Sequence, residues 1–165
     1  MEIQDIDSFL DYWEKIRGRT RRVIACIPPD RFDWSHPPGA WTFADLIRHL
    51  AGTERWMFAE NVAGRQSAYP GHGPELARTP EQVLDYLERA HAEAVDVFAA
   101  LTPEDLRRKC GTPGGIELTA WKWLRAMVEH EIHHRGQIYL MLGSLGVETP
   151  PLYGLTEEEV RARSL

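Results

Sequence analysis

Apolar positions recur at alternating steps of three and four over four long stretches of the chain, the spacing of a single buried face on an α-helix. In the first, residues 6–27, Phe9, Trp13, Ile16, Thr20, Val23 and Ile27 form the stripe, Leu10 and Ile24 widen it, and Pro28-Pro29 ends it. The second covers residues 42–63, where Thr42 with Asp45 three positions later reads as a capping box and Gly64 as the stop. Thr79-Pro80-Glu81-Gln82 opens the third, a cap residue followed by proline at the first helical position, and Val83, Leu87, Ala90, Ala94, Val97 and Leu101 continue it. The fourth, residues 119–145, is the longest, roughly 40 Å at 1.5 Å per residue. Between them lie Gly- and Pro-rich connections, a short helical turn at Thr102-Pro103-Glu104-Asp105, and a broken connector at residues 110–118 that either borders a pocket or merely joins two elements. Thr156 and Glu159 cap a last short helix. With no strand pattern, this predicts an all-α four-helix bundle with a short C-terminal helix, one domain over residues 1–165.

The fourth helix has two apolar faces, and one of them is interrupted by imidazoles. Trp123, Met127, His130, His134, Gln137 and Met141 follow one another in steps of four, three, four, three and four. His130 and His134 therefore stand one turn apart on an inward face, where two rings can reach one point. Unpaired burial of such polar groups costs roughly 1–3 kcal/mol each, so pairing or coordination is expected. A metal needs further ligands, and His49 on the second helix is the best candidate, with Thr53 and Trp56 on the same stripe as possible pocket residues. The second face, Trp121, Leu124, Val128, Ile132, Tyr139 and Leu142, points to a central helix or to a homodimer interface. Gly136 inside the helix suggests close approach of a neighbouring backbone, and Arg135 an ion pair with an acid such as Glu131. His36 and His72 read as exposed loop residues, His91 as a boundary histidine with a hydrogen-bond partner.

The string His130 to Gln137, HxxxHRGQ, together with His49-Leu50-Ala51-Gly52 and the tail Gly146 to Gly154, resembles the DinB/YfiT-like metalloenzyme family, four-helix bundles related to thiol-dependent S-transferases. The resemblance spans nearly the whole chain. It implies an up-down-down-up order, one divalent metal held by His49, His130 and His134, and a homodimer. Three imidazoles leave coordination positions open and suit zinc, nickel, iron, copper or cobalt. Family members that transfer or isomerise with thiols imply the same chemistry here, and since neither Cys26 nor Cys110 lies on a ligand-bearing stripe, the thiol would be external and small, acting on an electrophile. Gln137 would then contact a ligand or metal-bound water. Two other readings compete: a non-catalytic, stress-induced binding protein, and a hydrolase, since His130-Glu131-Ile132-His133-His134 also satisfies HExxH with Glu131 as general base. The hydrolase reading lacks a third histidine where that signature would continue, because Leu140 stands there. A purely structural histidine cluster paired with carboxylates is the remaining alternative.

Charge and composition narrow the partners. The chain has 25 acidic against 19 basic residues, a formal charge of −6, and no long basic run, which argues against nucleic acid. An apolar share of 43% excludes a disordered chain. No apolar run reaches the roughly 20 residues that cross a bilayer, and the acidic N-terminus lacks a signal core, so a cytoplasmic protein is expected. Two distant cysteines fit that reducing compartment.

Overall fold

A computed structural model describes residues 2–164. Helix α1 spans Ile6–Ile24, with the Asp5 carboxylate accepting from the Ser8 amide at 2.8 Å. It ends three residues before the apolar stripe does, because Ile27 precedes a proline and that position disfavours the helical region; Ile27 stays buried all the same. Helix α2, Phe43–Thr53, starts on the Thr42–Asp45 capping box, with reciprocal bonds of 3.0 and 2.9 Å. It continues without a break through a π-helical segment, Glu54–Ala59, and a final turn, Glu60–Val62. Helix α3 is Pro80–Ala99 on the Thr79–Gln82 box, and α4 is the short Pro103–Arg107. The broken connector is an antiparallel hairpin, β1 Lys109–Gly111 against β2 Glu117–Thr119, with Gly115 at positive φ in its turn. Three-residue strands are too short for alternation to show, which is why no strand was expected there. Helix α5, Ala120–Ser144, runs 25 residues, and α6, Glu157–Arg163, closes the chain.

Two apolar clusters give the direction of each helix. One joins Val23 and Ile24 at the end of α1, Phe43 to Ile47 at the start of α2, Val83 to Ala90 at the start of α3 and Ile138 to Leu142 at the end of α5. The other joins Phe9 to Ile16, Phe58 to Val62, Ala94 with Phe98, and Ala120 to Val128. The order is therefore up, down, down, up. Since α2 and α3 are parallel neighbours, residues 63–79 must travel back along the bundle, and that strap crosses the outside of α2. A 20-residue helix is about 30 Å long, well within reach of such a segment. Most of the second face of α5 is intrachain core: Leu124, Val128 and Leu142 are buried, while Ile132 stays 40% exposed.

Between the clusters lies a layer of buried charge. Arg17 pairs with Glu54 and stands 3.4 Å from Glu131, an ion-pair distance too long for a hydrogen bond. Glu54 also accepts from Trp13 Nε1 at 2.7 Å and meets His91 Nδ1 at 2.8 Å, while His91 Nε2 lies 3.0 Å from Glu14. His91 thus has its expected partners. Burial pushes the Glu131 carboxyl above the usual range, only partly offset by Arg17. Glu54 is also raised by burial, but Arg17 and His91 outweigh that and hold it low. Arg135 does not pair with Glu131. It turns to α1 and donates to the Ile16 carbonyl at 3.2 Å, because Glu131 is already committed to Arg17. Nor does Gly136 meet a close neighbour, since a Cβ built there finds nothing within 4 Å.

Candidate metal centre

On the face of α5 turned toward α2, three imidazoles converge. His49 Nε2 and His134 Nε2 lie 3.0 and 3.1 Å from His130 Nε2, and the donor atoms of all three fall within 4.8 Å of one another. Ligands about 2.0–2.1 Å from a zinc-like ion stand roughly 2.9–3.4 Å apart, a range met by both separations from His130 Nε2, so the group could hold a divalent ion. The other ring nitrogens are held from behind. His49 Nδ1 meets Tyr69 Oη and His134 Nδ1 donates to Gln137 Oε1, each at 2.7 Å, and the Gln137 carbonyl sets the His134 tautomer that turns its Nε2 lone pair inward. Burial, reinforced by the neighbouring imidazoles, pulls His49 down to about 4 and His130 to about 3. Burial also lowers His134, against an opposing pull from Gln137. All three shifts favour the neutral ring, the form that offers a lone pair to a metal.

The strap completes this centre, and here the sequence reading fell short. A Cβ on Gly52 would sit 3.0 Å from the Tyr69 ring and 3.3 Å from the Gly71 carbonyl, so only glycine lets the strap lie on α2. That is the physical role of the glycine in His49-Leu50-Ala51-Gly52. Buried Arg48 ties the strap down, donating to the His72 carbonyl at 2.6 Å, the Ala77 carbonyl at 2.8 Å and Asp45 at 2.6 Å. His72 is therefore no plain loop residue: its ring is 4.1 Å from Trp41 and 3.4 Å from Tyr69 Oη. Trp41, just before the α2 cap, lies 4.8 Å from the His49 ring and stacks near-parallel to His134 at 6.1 Å. The unexplained helical glycine was the one signal that could have pointed to the strap.

A cavity of about 490 Å³ opens beside His134, lined by His36, Ala40, Trp41, Leu46, His134, Gln137, Leu140 and Met141, while His49 and His130 are not part of its lining. His36 is exposed as expected, yet it forms part of that lining. Gln137 reaches it too, but its carbonyl is engaged with His134 and not free for a ligand. Thr53 and Trp56 do not line it: the Thr53 hydroxyl bonds the His49 carbonyl at 2.7 Å, and Trp56 stacks on Tyr86 at 5.6 Å. Glu131 is likewise absent from the lining, because one residue step turns it about 100° away toward α1. The β1–β2 hairpin borders a separate cleft with Arg65 and Arg108. Cys26 bonds the Arg22 carbonyl and Cys110 is buried in β1, so neither serves the centre. Among the described residues no helix is long and apolar enough to cross a membrane.

Comparison with known proteins agrees with this architecture. The chain is 26% identical over 153 residues to the uncharacterized protein YjoA of Bacillus subtilis, covering 91% of this chain and 94% of that one. A DinB-like protein from Bacillus cereus superposes with a TM-score of 0.74 at 19% identity, over 90% of this chain and 97% of its own. YfiT of Bacillus subtilis, described as a probable metal-dependent hydrolase with an unusual four-helix bundle topology, gives 0.67 at 17% identity over 90% and 91%. The model of the DinB superfamily matches residues 12–138, and with that span, these helices and this histidine centre, the chain belongs to the DinB superfamily.

Proposed function

We propose that this protein is a metal-dependent enzyme that activates an external small thiol, with His49, His130 and His134 as ligands of one divalent ion. The observation that carries the reading is the convergence of three Nε2 atoms, with a cavity that no carboxylate lines beside one of the three, His134. Three neutral ligands leave the full double charge on an ion, which when bound lowers the pKa of a thiol from about 8.5 toward neutrality. A lining without a carboxylate suits a reaction whose nucleophile is brought in. In the transfer, the S–H bond gives its proton to solvent at the cavity mouth, an S–C bond forms, and the leaving group departs with its bonding pair. Trp41 and Met141 would line the thiol's approach beside His134, which Gln137 holds in place.

A hydrolase is the second reading, favoured by the likeness to YfiT. Glu131 cannot be its base, because its carboxyl faces Arg17 inside the bundle. Glu131→Gln should therefore leave metal-dependent turnover within a few-fold of wild type. Titrating the cobalt-substituted protein with thiols tests the main reading through sulfur-to-metal charge-transfer absorption. If no thiol perturbs the spectrum and none is conjugated to an electrophile, the protein is a binding protein without turnover or a hydrolase. The same proposal includes a homodimer over the second face of α5, where Trp121 and Tyr139 are half-buried and Ile132 is 40% exposed. Sedimentation at micromolar concentration decides it, and a mass near the 18.9 kDa of one chain would refute it.

A further inference from the structure

The geometry points to a second binding site, for a phosphate group, in the cleft between the end of α2 and the β1–β2 hairpin. The site stands apart from the metal centre: Asn61 in its wall is twelve positions beyond His49 on the same continuous helix, roughly 15 Å or more at about 1.5 Å per residue. The cleft encloses about 580 Å³, within the usual range of about 300–1,000 Å³ for small-molecule sites. Arg65, Arg108 and Lys109 all line it, and no aspartate or glutamate does. The arginines have acids behind them, Glu60 and Asp105, but both stand outside this lining. Across the same two arginines lies a neighbouring cleft that Asp96 and Asp105 do line, and an anion would be repelled there.

Donors remain free on both walls. Arg108 uses only Nη2, toward the Val62 carbonyl and Asp105 at 3.3 Å each, which leaves Nε and Nη1 without an acceptor. Gly64, at φ 80°, makes the turn after α2, and its lack of a Cβ leaves room for that guanidinium, whose Nη1 would stand 2.8 Å from one. The exposed Lys109 ammonium forms no ion pair among the described residues. Opposite them, Asn61, only 3% exposed, donates to the Arg65 carbonyl and accepts from Ser67 Oγ, each at 3.1 Å, and so holds residues 65–67 in place. In that turn the Ala68 amide bonds the Trp56 carbonyl at 2.7 Å, while the Gln66 and Ser67 amides have no acceptor among the described residues. Guanidinium, ammonium and backbone N–H together are the donor set that phosphate takes, because a phosphomonoester offers three strong acceptor oxygens and a charge of about −1.5 to −2 at pH 7. Inorganic phosphate shares that chemistry, but a cleft of this size has room for the organic part of an ester.

Amide NMR titrations of the full-length protein with phenyl phosphate, inorganic phosphate, benzoate and benzyl alcohol test this. Phenyl phosphate should shift the Gln66, Ser67 and Lys109 amide signals saturably and bind at least about tenfold more tightly than benzoate, with benzyl alcohol silent. Arg108→Gln should weaken phenyl phosphate by at least about tenfold. Lys109→Glu, at an exposed position, should show a loss of the same sign even if the arginine variant folds poorly. Zinc affinity should be unchanged in both variants, since neither residue approaches the histidines. Inorganic phosphate that binds as tightly as the ester keeps the site and names the free ion as its ligand, whereas tighter binding of the ester names a phosphomonoester. Benzoate binding as tightly as phenyl phosphate overturns the assignment. So do signals at Gln66 and Ser67 that never move, and so does a Lys109→Glu protein that binds phenyl phosphate unchanged.

Discussion

Helix α5 carries the half-buried His130 facing α2 and, one residue on, the buried Glu131 facing α1, and the bundle surrounds them in different ways. On the α1 side, Arg17, Glu54, His91 and Glu131 answer charge with charge in a closed layer. On the α2 side, three neutral imidazoles bring lone pairs to one point with no counter-charge and a cavity at their side. A closed polar cluster is weak ground for function, since its members are one another's partners. An open one with surplus lone pairs and lowered pKa values is a binding site looking outward. The HExxH string straddles both, which is why it misleads: its histidines belong to one cluster and its glutamate to the other.

The hardest blow to this contrast would come through the closed layer. Arg17→Met leaves Glu54 and Glu131 buried without their cation, and breaking such a pair costs about 3–5 kcal/mol. Urea unfolding should show that loss while the folded fraction still binds metal with unchanged affinity. Lost metal with full stability would exchange the roles of the two clusters. The converse variant, His130→Ala, should lower zinc affinity by more than the roughly 10–100-fold typical of removing an outer partner, while the unfolding midpoint of the metal-free protein barely moves. A chelator competition titration reads the first and thermal melting the second.

Acid separates the two histidine environments by sign. His49 and His130 titrate near 4 and 3 in the folded chain against about 6.5 unfolded, so between these values the unfolded chain holds more protons. The metal-free bundle therefore loses stability as pH falls through 6.5 toward 4. His91 works the other way: burial lowers it, but Glu54 outweighs burial and leaves it raised, so its stabilisation is present at low pH and lost as pH rises through the raised value. Within the folded chain, protons compete for the ligand nitrogens only near the depressed values. Metal should accordingly survive desalting at pH 5.5, below the ordinary histidine range of about 6.5 where loss would be expected from an exposed site. Complete loss by pH 6 would contradict the burial of these rings.

The smallest effect should come from Tyr69→Phe. It removes the hydrogen-bond partner of His49 Nδ1 and leaves the ring packed, so zinc affinity should fall about 10–100-fold with the metal-free melting temperature unchanged. Unaltered affinity would mean that the strap merely covers the centre.

What the sequence by itself determined is what depends on near neighbours. Apolar periodicity, the Thr42, Thr79 and Thr156 capping boxes and the i, i+4 pair His130 and His134 are consequences of helix geometry over one or two turns, and the structure holds each of them. The tertiary structure alone decided where segments without periodicity lie. Tyr69 and His72 reach the centre because two parallel helices force a strap back across α2, and Trp41 because the loop before the α2 cap folds against them, paths that no local pattern encodes. The same holds for Glu131, whose side of the helix is readable but whose partner, Arg17, comes from another helix more than a hundred residues away in sequence. Helices announce themselves because their contacts are local; the cavity, its lack of charge and the grip on His49 arise only when distant segments pack, and that packing is settled by the whole core at once.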